Sequence, residues 1–385
     1  MSTAVTFDGA PERGTIDFSV GQPSADLLPL QLLEAGCERF FTGAVPFELN
    51  YGERQGDARF RAALAHFLKG ALGFEATPES LMLTGGISQA LDFACSRLTR
   101  PGDIVFVEEP TYLYALPIFR DHGLKIVSVP LDERGMDVDA LERVLERHRP
   151  RLVYTIPSFH NPTGRTLDAA RRKRLLALSH RYRFTIVADE VYHLLHHDIP
   201  PPASFGTMIE EGGVIALGTF SKILAPGIRL GWIQASPEPL KELLASGAMV
   251  SGGNFNHFGS HIVRQLMENG GLAAFLAQLR KSYAARAEAM DAALRTHLGT
   301  RLRWQKPDGG YFFWLELPQN RDAGAFTAAA RAAGTAFLPG AACSADGGLK
   351  HCLRLSFSHY SVADIQEGIA RLAHALATEQ GDSER

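Results

Sequence analysis

No apolar run in this 385-residue sequence approaches the ~20 residues that a membrane-spanning helix requires, so no helical membrane anchor is expected. Positive charge is not in excess either. With 39 Lys and Arg against 42 Asp and Glu, the formal net charge of −3 leaves no basic footprint for a nucleic-acid partner. Cysteine is scarce: Cys37, Cys95, Cys343 and Cys352 form no CxxC pair and no zinc-like spacing, which suits buried thiols of a reducing compartment. Asp8, Glu12 and Arg13 are followed by no apolar signal region, so no secretory signal is expected and a cytoplasmic protein is. No GxGxxG follows a strand and no GxSxG elbow occurs, which removes a dinucleotide site and the commonest serine hydrolase signature. There is no internal repeat and no low-complexity tract.

What is present is an ordinary globular composition, 45% hydrophobic and 21% charged, long enough for a large core divided between two domains. Residues from about 80 to 235 alternate short β-rich runs with helical patterns, the habit of a parallel sheet covered by helices. The runs 81–84, 104–107, 125–129, 152–156, 185–189 and 214–217 are predicted strands, with helices over 88–98 and 167–182. A long Ala-, Leu- and Arg-rich helical stretch covers about 260–298 and suits a bridge between domains. Strands are predicted at 311–316 and 353–357, and a final amphipathic helix at 362–377. The expectation is an α/β fold: a three-layer, mainly parallel large domain over 46–280, with 1–45 and 281–385 forming an N-terminal arm plus a small α+β domain.

The densest chemistry lies in 219–232, where Lys222 stands beside Thr219 and Ser221, with Arg229 seven residues on. A lysine near a cation in a shielded setting loses its proton and becomes nucleophilic. Hydroxyls and a guanidinium beside it make an anion site. Such an amine next to a phosphate pocket is what a pyridoxal phosphate enzyme requires, although a Ser-Lys pair in a plain turn is the alternative. The turn Thr84-Gly85-Gly86-Ile87-Ser88 joins a strand to a helix and offers free N–H groups to an anion. Tyr112 and the Asn161-Pro162-Thr163-Gly164 turn follow strand ends, where open α/β sheets bind ligands. Asp189 ends an apolar strand, and an acid there needs a partner such as a protonated pyridine nitrogen. Arg354, amid strand apolars, needs an anion, either a substrate carboxylate or an internal salt bridge. His193, His196 and His197 lack a carboxylate at matching spacing other than Glu190 or Asp198, and no metal site is expected.

Taken together the motifs resemble the fold-type I aminotransferases of class I/II, dependent on pyridoxal 5'-phosphate. The branch in question contains 2-aminoadipate and aromatic aminotransferases and the aminotransferase-like half of MocR-type regulators. The likeness runs from Ile16-Asp17-Phe18 to the last helix. It includes Tyr51-Gly52, Gly85 to Asp92, Pro101-Gly102-Asp103, Glu109 to Tyr112, Asn161 to Gly164, Asp189 to Tyr192, Ser221 to Trp232, Lys306 to Trp314 and Leu353 to Ser358. The resemblance implies that Lys222 holds the cofactor as an internal aldimine and that Asp189 pairs with the ring nitrogen. Asn161 and Tyr192 would bond the phenolic oxygen, and Tyr112 would stack on the ring. Gly86, Ile87, Ser88, Thr219, Ser221 and Arg229 would hold the phosphate. Tyr51 would reach the phosphate of a neighbouring subunit in a homodimer with shared active sites. Arg354, with Gly21 and Asn161 beside it, would bind the substrate carboxylate.

The implied reaction moves an amino group from an L-amino acid to a 2-oxo acid in ping-pong order, with Lys222 shuttling the proton. A lyase, racemase, decarboxylase or cyclase on the same cofactor is the alternative, and a ligand-sensing regulatory protein is a distant one. The likeness begins by about residue 16, which leaves no room for a preceding DNA-binding domain in this sequence. Two features depart from the family pattern: Ile87 at the phosphate turn offers only its N–H, and Glu53-Arg54-Gln55 follows Tyr51-Gly52. Residues 17–33 contain no Arg or Lys and offer Phe18, Val20, Leu27 and Leu28. They favour an apolar or aromatic amino donor, with 2-oxoglutarate or pyruvate as acceptor.

Overall fold

The structure, a computed structural model, describes residues 14–73, 76–318 and 321–382; Asp8, Glu12 and Arg13, on which the expectation of no secretory signal rests, lie outside them. After a short strand β1 (Ile16–Asp17), the chain alternates strands and helices through its first two thirds. The strands are β2 (Leu81–Thr84), β3 (Ile104–Glu109), β4 (Lys125–Asp132), β5 (Gly135–Met136), β6 (Pro150–Thr155), β7 (Thr185–Asp189), β8 (Val214–Thr219) and β9 (Gly231–Ala235). They form one sheet in the order β2-β9-β8-β7-β6-β3-β4-β5. From β8 to β4 neighbouring strands are parallel; β9 is antiparallel to both β2 and β8, and β5 is antiparallel to β4.

A parallel strand is covered on both faces and needs apolar residues on both. Val187 and Tyr154 therefore pack with Leu91, Phe119 and Leu240 on one side, while Ile186, Val153 and Phe106 pack with Leu141 and Leu175 on the other. Two of the covering helices start where the sequence supplies a cap. Asp137 accepts from the N–H groups of Asp139 and Ala140 at the head of Val138–Leu145, and Asp168 from that of Arg171 at the head of Ala169–Tyr182.

The stretch predicted as one helix over 260–298 is two, His257–Glu268 and Gly271–His297. Gly270 takes φ 75 between them, a left-handed conformation that ends a helix at little cost to glycine. Beyond lie β10 (Arg303–Trp304), β11 (Phe312–Glu316), β12 (Thr335–Ala336), β13 (Leu338–Pro339) and β14 (Cys352–Ser356), followed by the helix Val362–Asp382. Four of these strands make an antiparallel sheet ordered β10-β11-β14-β13, while β12 pairs with β1. Only β11 and β14 are legible beforehand, because two-residue strands carry no alternation.

The N-terminal arm, expected on the small domain, is divided. Its β1 joins β12, and the Phe18 carbonyl accepts from the Ser356 N–H at 2.8 Å. Its helix Leu30–Gly43 instead packs on His257–Glu268, close enough that a Cβ at Gly36 would meet Leu266 Cδ2 at 2.8 Å.

Candidate active site

Most of the residues singled out in the sequence converge at the carboxyl ends of β2, β3, β6, β7 and β8. Helix dipoles and free backbone groups collect at this edge of a parallel sheet, where side chains can reach a ligand without crossing the core. The small sheet adds Arg354 from β14, and the arm adds Ser19 and Gly21.

The Lys222 amine donates to the Gly21 carbonyl at 3.0 Å and lies 5.4 Å from the centre of the Tyr311 ring. Burial, and then the positive charges of Arg354 and Arg229, push its pKa down to about 8, against the opposing pull of Asp189. A lysine so placed has a substantial neutral fraction near physiological pH, as a nucleophile or proton carrier requires.

Asp189 is buried and ionises with difficulty: burial pushes its carboxyl up to about 6. Two donors oppose that shift, the Tyr154 hydroxyl on Oδ2 at 2.7 Å and the Val191 N–H on Oδ1 at 3.2 Å. Glu190, the next residue, faces away and accepts from Ser204 Oγ and the Phe205 N–H. Alternation along the strand separates the two acids, as expected.

Opposite Asp189, the turn after β2 presents Gly86 at φ 94 as the cap of helix Ile87–Leu98, with no side chain bonding the helix's first N–H groups. Arg229 lies against this turn and donates to the Gly85 carbonyl at 3.2 Å, to Pro226 O at 3.2 Å and to Ser221 Oγ at 3.5 Å. Thr219 Oγ1 donates to Ser221 Oγ at 3.0 Å and accepts from the Ser221 N–H at 3.0 Å, so both hydroxyls point into the same cradle. Ile87 contributes its N–H only, since its side chain packs into the apolar layer behind.

Arg354 donates through Nη1 to Asn161 Oδ1 at 2.9 Å and through Nη2 to the Ser19 carbonyl at 2.7 Å, with its guanidinium 4.2 Å above the Phe312 ring. Its Nε is buried without a hydrogen-bond partner. A Cβ at Gly21 would come within 3.0 Å of Phe312 Cζ, so glycine lets the arm close over this corner. Asn161 and Tyr192 are both buried. The loops that carry them are tied by Ser158 Oγ and His193 Nδ1 at 2.9 Å, with the Arg172 guanidinium donating to the same serine at 2.9 Å. Tyr112 is half-buried, edge-on to Tyr114 with ring centres 5.5 Å apart.

Tyr51 stands apart. Its side chain is 83% exposed, on a surface strip with Phe47 and Leu49. Phe18, one of the apolar residues expected to face a substrate, is wholly buried and packs edge-on against Tyr360; Leu27 is buried too. Val20 and Leu28 keep exposed surface. Arg54 and Gln55 border a surface groove with Glu79 and Lys241, and Gln55 Nε2 holds the Glu79 and Leu81 carbonyls. His193 is engaged with Ser158, and His196 Nδ1 lies 3.1 Å from the His197 carbonyl. Among the described residues no group of three or more His, Cys, Asp or Glu is arranged to hold a metal.

Sequence reasoning missed Tyr154, Tyr311 and Phe312 as parts of the site. Tyr154 carries the clearest signal, a phenol in a buried strand, which calls for a hydrogen-bond partner.

The charges test whether pyridoxal 5'-phosphate fits. Lys222, Asp189, Arg229 and Arg354 form no salt bridge with one another or with other described residues; their hydrogen-bond partners are neutral. Arg229 keeps solvent exposure, but the shielded charges of Asp189, Lys222 and Arg354 cost free energy in this state unless a ligand completes them. An anion beside Arg229 and the Gly86–Ser88 N–H groups, a cationic ring N–H against Asp189 and a carboxylate on Arg354 would complete three of them, and an aldehyde carbon would engage the Lys222 amine. The residues fit the cofactor.

Comparisons with known proteins show the family to which the chain belongs. The model of the family "Aminotransferase class I and II" matches residues 13–372. The chain is 37% identical to aromatic-amino-acid aminotransferase 1 of Thermococcus litoralis, over 94% of this chain and 88% of that protein. Among solved structures it resembles the multiple substrate aminotransferase of Thermococcus profundus, with a TM-score of 0.90 and 33% identity over 97% of this chain and 93% of the other. It also resembles the α-aminoadipate aminotransferase of Thermus thermophilus complexed with N-(5'-phosphopyridoxyl)-L-leucine, with a TM-score of 0.86 and 34% identity over 95% and 93%. The chain therefore belongs to the class I and II aminotransferases, enzymes that transfer amino groups with pyridoxal 5'-phosphate.

Proposed function

We propose that Lys222 is the residue on which transamination turns in this enzyme, and that the surrounding side chains divide the cofactor between them. When bound, pyridoxal 5'-phosphate supplies an electron-withdrawing ring that stabilises negative charge at the substrate α-carbon. Lys222 would anchor it through its amine and, with substrate bound, would carry the α-proton on Nζ to the cofactor carbon on the far side of the amino nitrogen. Asp189 holds the ring nitrogen in its protonated form. Asn161 and Tyr192 hold the phenolic oxygen and Tyr112 covers one face. The N–H groups of Gly86, Ile87 and Ser88, with Thr219, Ser221 and Arg229, hold the phosphate. Arg354 fixes the substrate carboxylate beside Gly21 and Asn161.

The observation that carries this reading is the shielded Lys222 amine, pushed down to about 8, among charged groups that lack charged partners. Replacing Lys222 by Ala is expected to abolish both turnover and the visible absorbance that arises from the lysine–cofactor linkage. A variant that keeps both overturns the assignment.

The proposed donor is an L-amino acid with an apolar or aromatic side chain, and the acceptor 2-oxoglutarate or pyruvate. Residues 17–33 hold no cation for a second carboxylate, and Val20 and Leu28 remain available to a side chain. The Thermococcus litoralis relative is named for aromatic amino acids. A donor screen against both acceptors decides the matter, and a strong preference for aspartate refutes it.

A homodimer completes the proposal. Phe41, Val45, Phe47, Leu49, Tyr51 and Phe258 are all exposed apolar or aromatic side chains, and a second copy would cover them while bringing Tyr51 to its phosphate. In this arrangement residues 46–280 act as the cofactor domain, and 1–45 with 281–385 as the arm and small domain. A cytoplasmic setting agrees with the four cysteines, all free thiols and three of them buried. Among the described residues no helix is long and apolar enough to cross a membrane.

A further inference from the structure

We infer that Tyr154 is a positioning residue that keeps Asp189 ionised against the ring nitrogen of the cofactor. The inference rests on the reading of Asp189 given above and extends it to a residue that touches neither cofactor nor substrate.

Tyr154 sits in β6 and Asp189 ends the neighbouring β7; the register places Tyr154 beside Val187, two residues before the acid. Both side chains are buried, and the phenol oxygen lies 2.7 Å from Oδ2. A phenol has one proton, and no carboxylate other than that of Asp189 bonds this hydroxyl among the described residues. Burial pushes the Tyr154 hydroxyl well up in pKa, so it remains a donor rather than a second anion. The Val191 N–H can also only donate, and it points at Oδ1. Both oxygens of Asp189 are thus committed to accepting, which is compatible with the carboxylate and strained for the acid.

That matters because strong influences around Asp189 work against its charge. Burial dominates, and the nearby Glu190 and Glu108 carboxylates add repulsion. Lys222 is the cation that interacts with it, while the Tyr112 and Tyr192 phenols are neutral, held there by burial. With Tyr154 absent as a donor, the acid would keep its proton to higher pH, and a neutral acid cannot hold the ring N–H as a cation. The Tyr154 ring is itself fixed edge-on against Phe119, centres 5.5 Å apart, so the hydroxyl has no other place to go.

Tyr154→Phe removes one oxygen and leaves the ring. The measurement is pyridoxal 5'-phosphate affinity for the cofactor-free protein from pH 5 to 9, followed by absorbance, beside the pH profile of kcat/KM. A hydrogen bond to a charged group is of a size that moves the acid-side midpoint of both curves upward by about one pH unit. Replacing Tyr154 by 3-fluorotyrosine, a stronger donor of nearly the same size, moves it downward, and this arm holds if the Phe variant does not fold. Midpoints that stay in place in both variants overturn the inference, even if activity falls uniformly. Asp189→Asn separates the two levels. If it abolishes the acid midpoint while the Tyr154 variants leave theirs unmoved, only the role of Tyr154 fails. If it leaves the midpoint where it was, the reading of Asp189 fails as well.

Discussion

Arg354 Nη1 donates to Asn161 Oδ1 at 2.9 Å, joining a strand of the small sheet to the loop after β6 of the large one. The same guanidinium holds the Ser19 carbonyl of the arm. Three segments far apart in sequence therefore meet at one planar fork, and under the proposed reading a substrate carboxylate there would exchange these neutral acceptors for a charged one.

Arg354→Lys keeps the charge and loses the fork, so it tests geometry rather than electrostatics. The expected result is a fall in kcat/KM of about 100-fold, carried mainly by KM, as for loss of a charge-assisted hydrogen bond worth roughly 2 to 3 kcal/mol. Cofactor affinity, measured separately by absorbance titration, should be nearly unchanged.

The lowered Lys222 pKa has a kinetic signature in the cofactor-free protein. Attachment of pyridoxal 5'-phosphate should quicken as pH rises toward about 8 and level off above it, because only the neutral amine attacks. Arg354→Ala removes one of the cations that depress this pKa, so the midpoint should move up. Stopped-flow absorbance reads both.

Asp189 makes the cofactor-free protein less stable than it could be. Its folded pKa, about 6, lies above the ordinary 3.8, so folding favours the protonated acid. The penalty is absent below the unfolded value, grows as pH rises between the two and is fully present above the folded one. Asp189→Asn should therefore stabilise the cofactor-free protein at pH 8 by about 3 kcal/mol, with no gain at pH 3.5. Denaturant melts at the two pH values check this, and cofactor affinity should fall in the same variant.

Gly86→Ala tests the phosphate cradle. The backbone there has φ 94, and a Cβ would sit 2.9 Å from Arg229 Nη2. Backbone strain and a displaced guanidinium together should weaken cofactor binding about tenfold, an effect of 1 to 2 kcal/mol. Inorganic phosphate should compete less well for the variant.

The exposed strip around Tyr51 tests the dimer. Phe47 is 77% exposed, and Phe47→Asp would bury a charge if a second copy covers it. Sedimentation velocity should show a monomer, with cofactor affinity reduced because Tyr51 no longer reaches its partner's phosphate. A stable dimer in this variant rejects the strip as the interface.

Much of this molecule is written locally. The six strand runs between 81 and 217, the capped helices and the glycine turn at Gly86 follow from side-chain period, cap residues and backbone freedom, which act over a few positions. Asp189 stands out for a similar reason: an acid at the end of a buried strand is costly without a partner. Locality also marks where legibility stops. The break at Gly270 and the two-residue strands β10, β12 and β13 are set by packing and pairing with distant segments, and Phe18 turns inward because the core of the small domain takes it.

By itself, the sequence determined the order of elements, the turns and the identity of the charged groups. Tertiary structure alone decided what those groups would meet. The pairing of β6 with β7 brings the Tyr154 hydroxyl to Asp189, and closure of the arm brings Gly21 to Lys222. These contacts span 35 and 201 positions, beyond the reach of any local pattern, and depend on sheet order and core burial. The shifted pKa values of Lys222 and Asp189 depend on folding too, because desolvation and neighbouring charge exist only once the chain has folded.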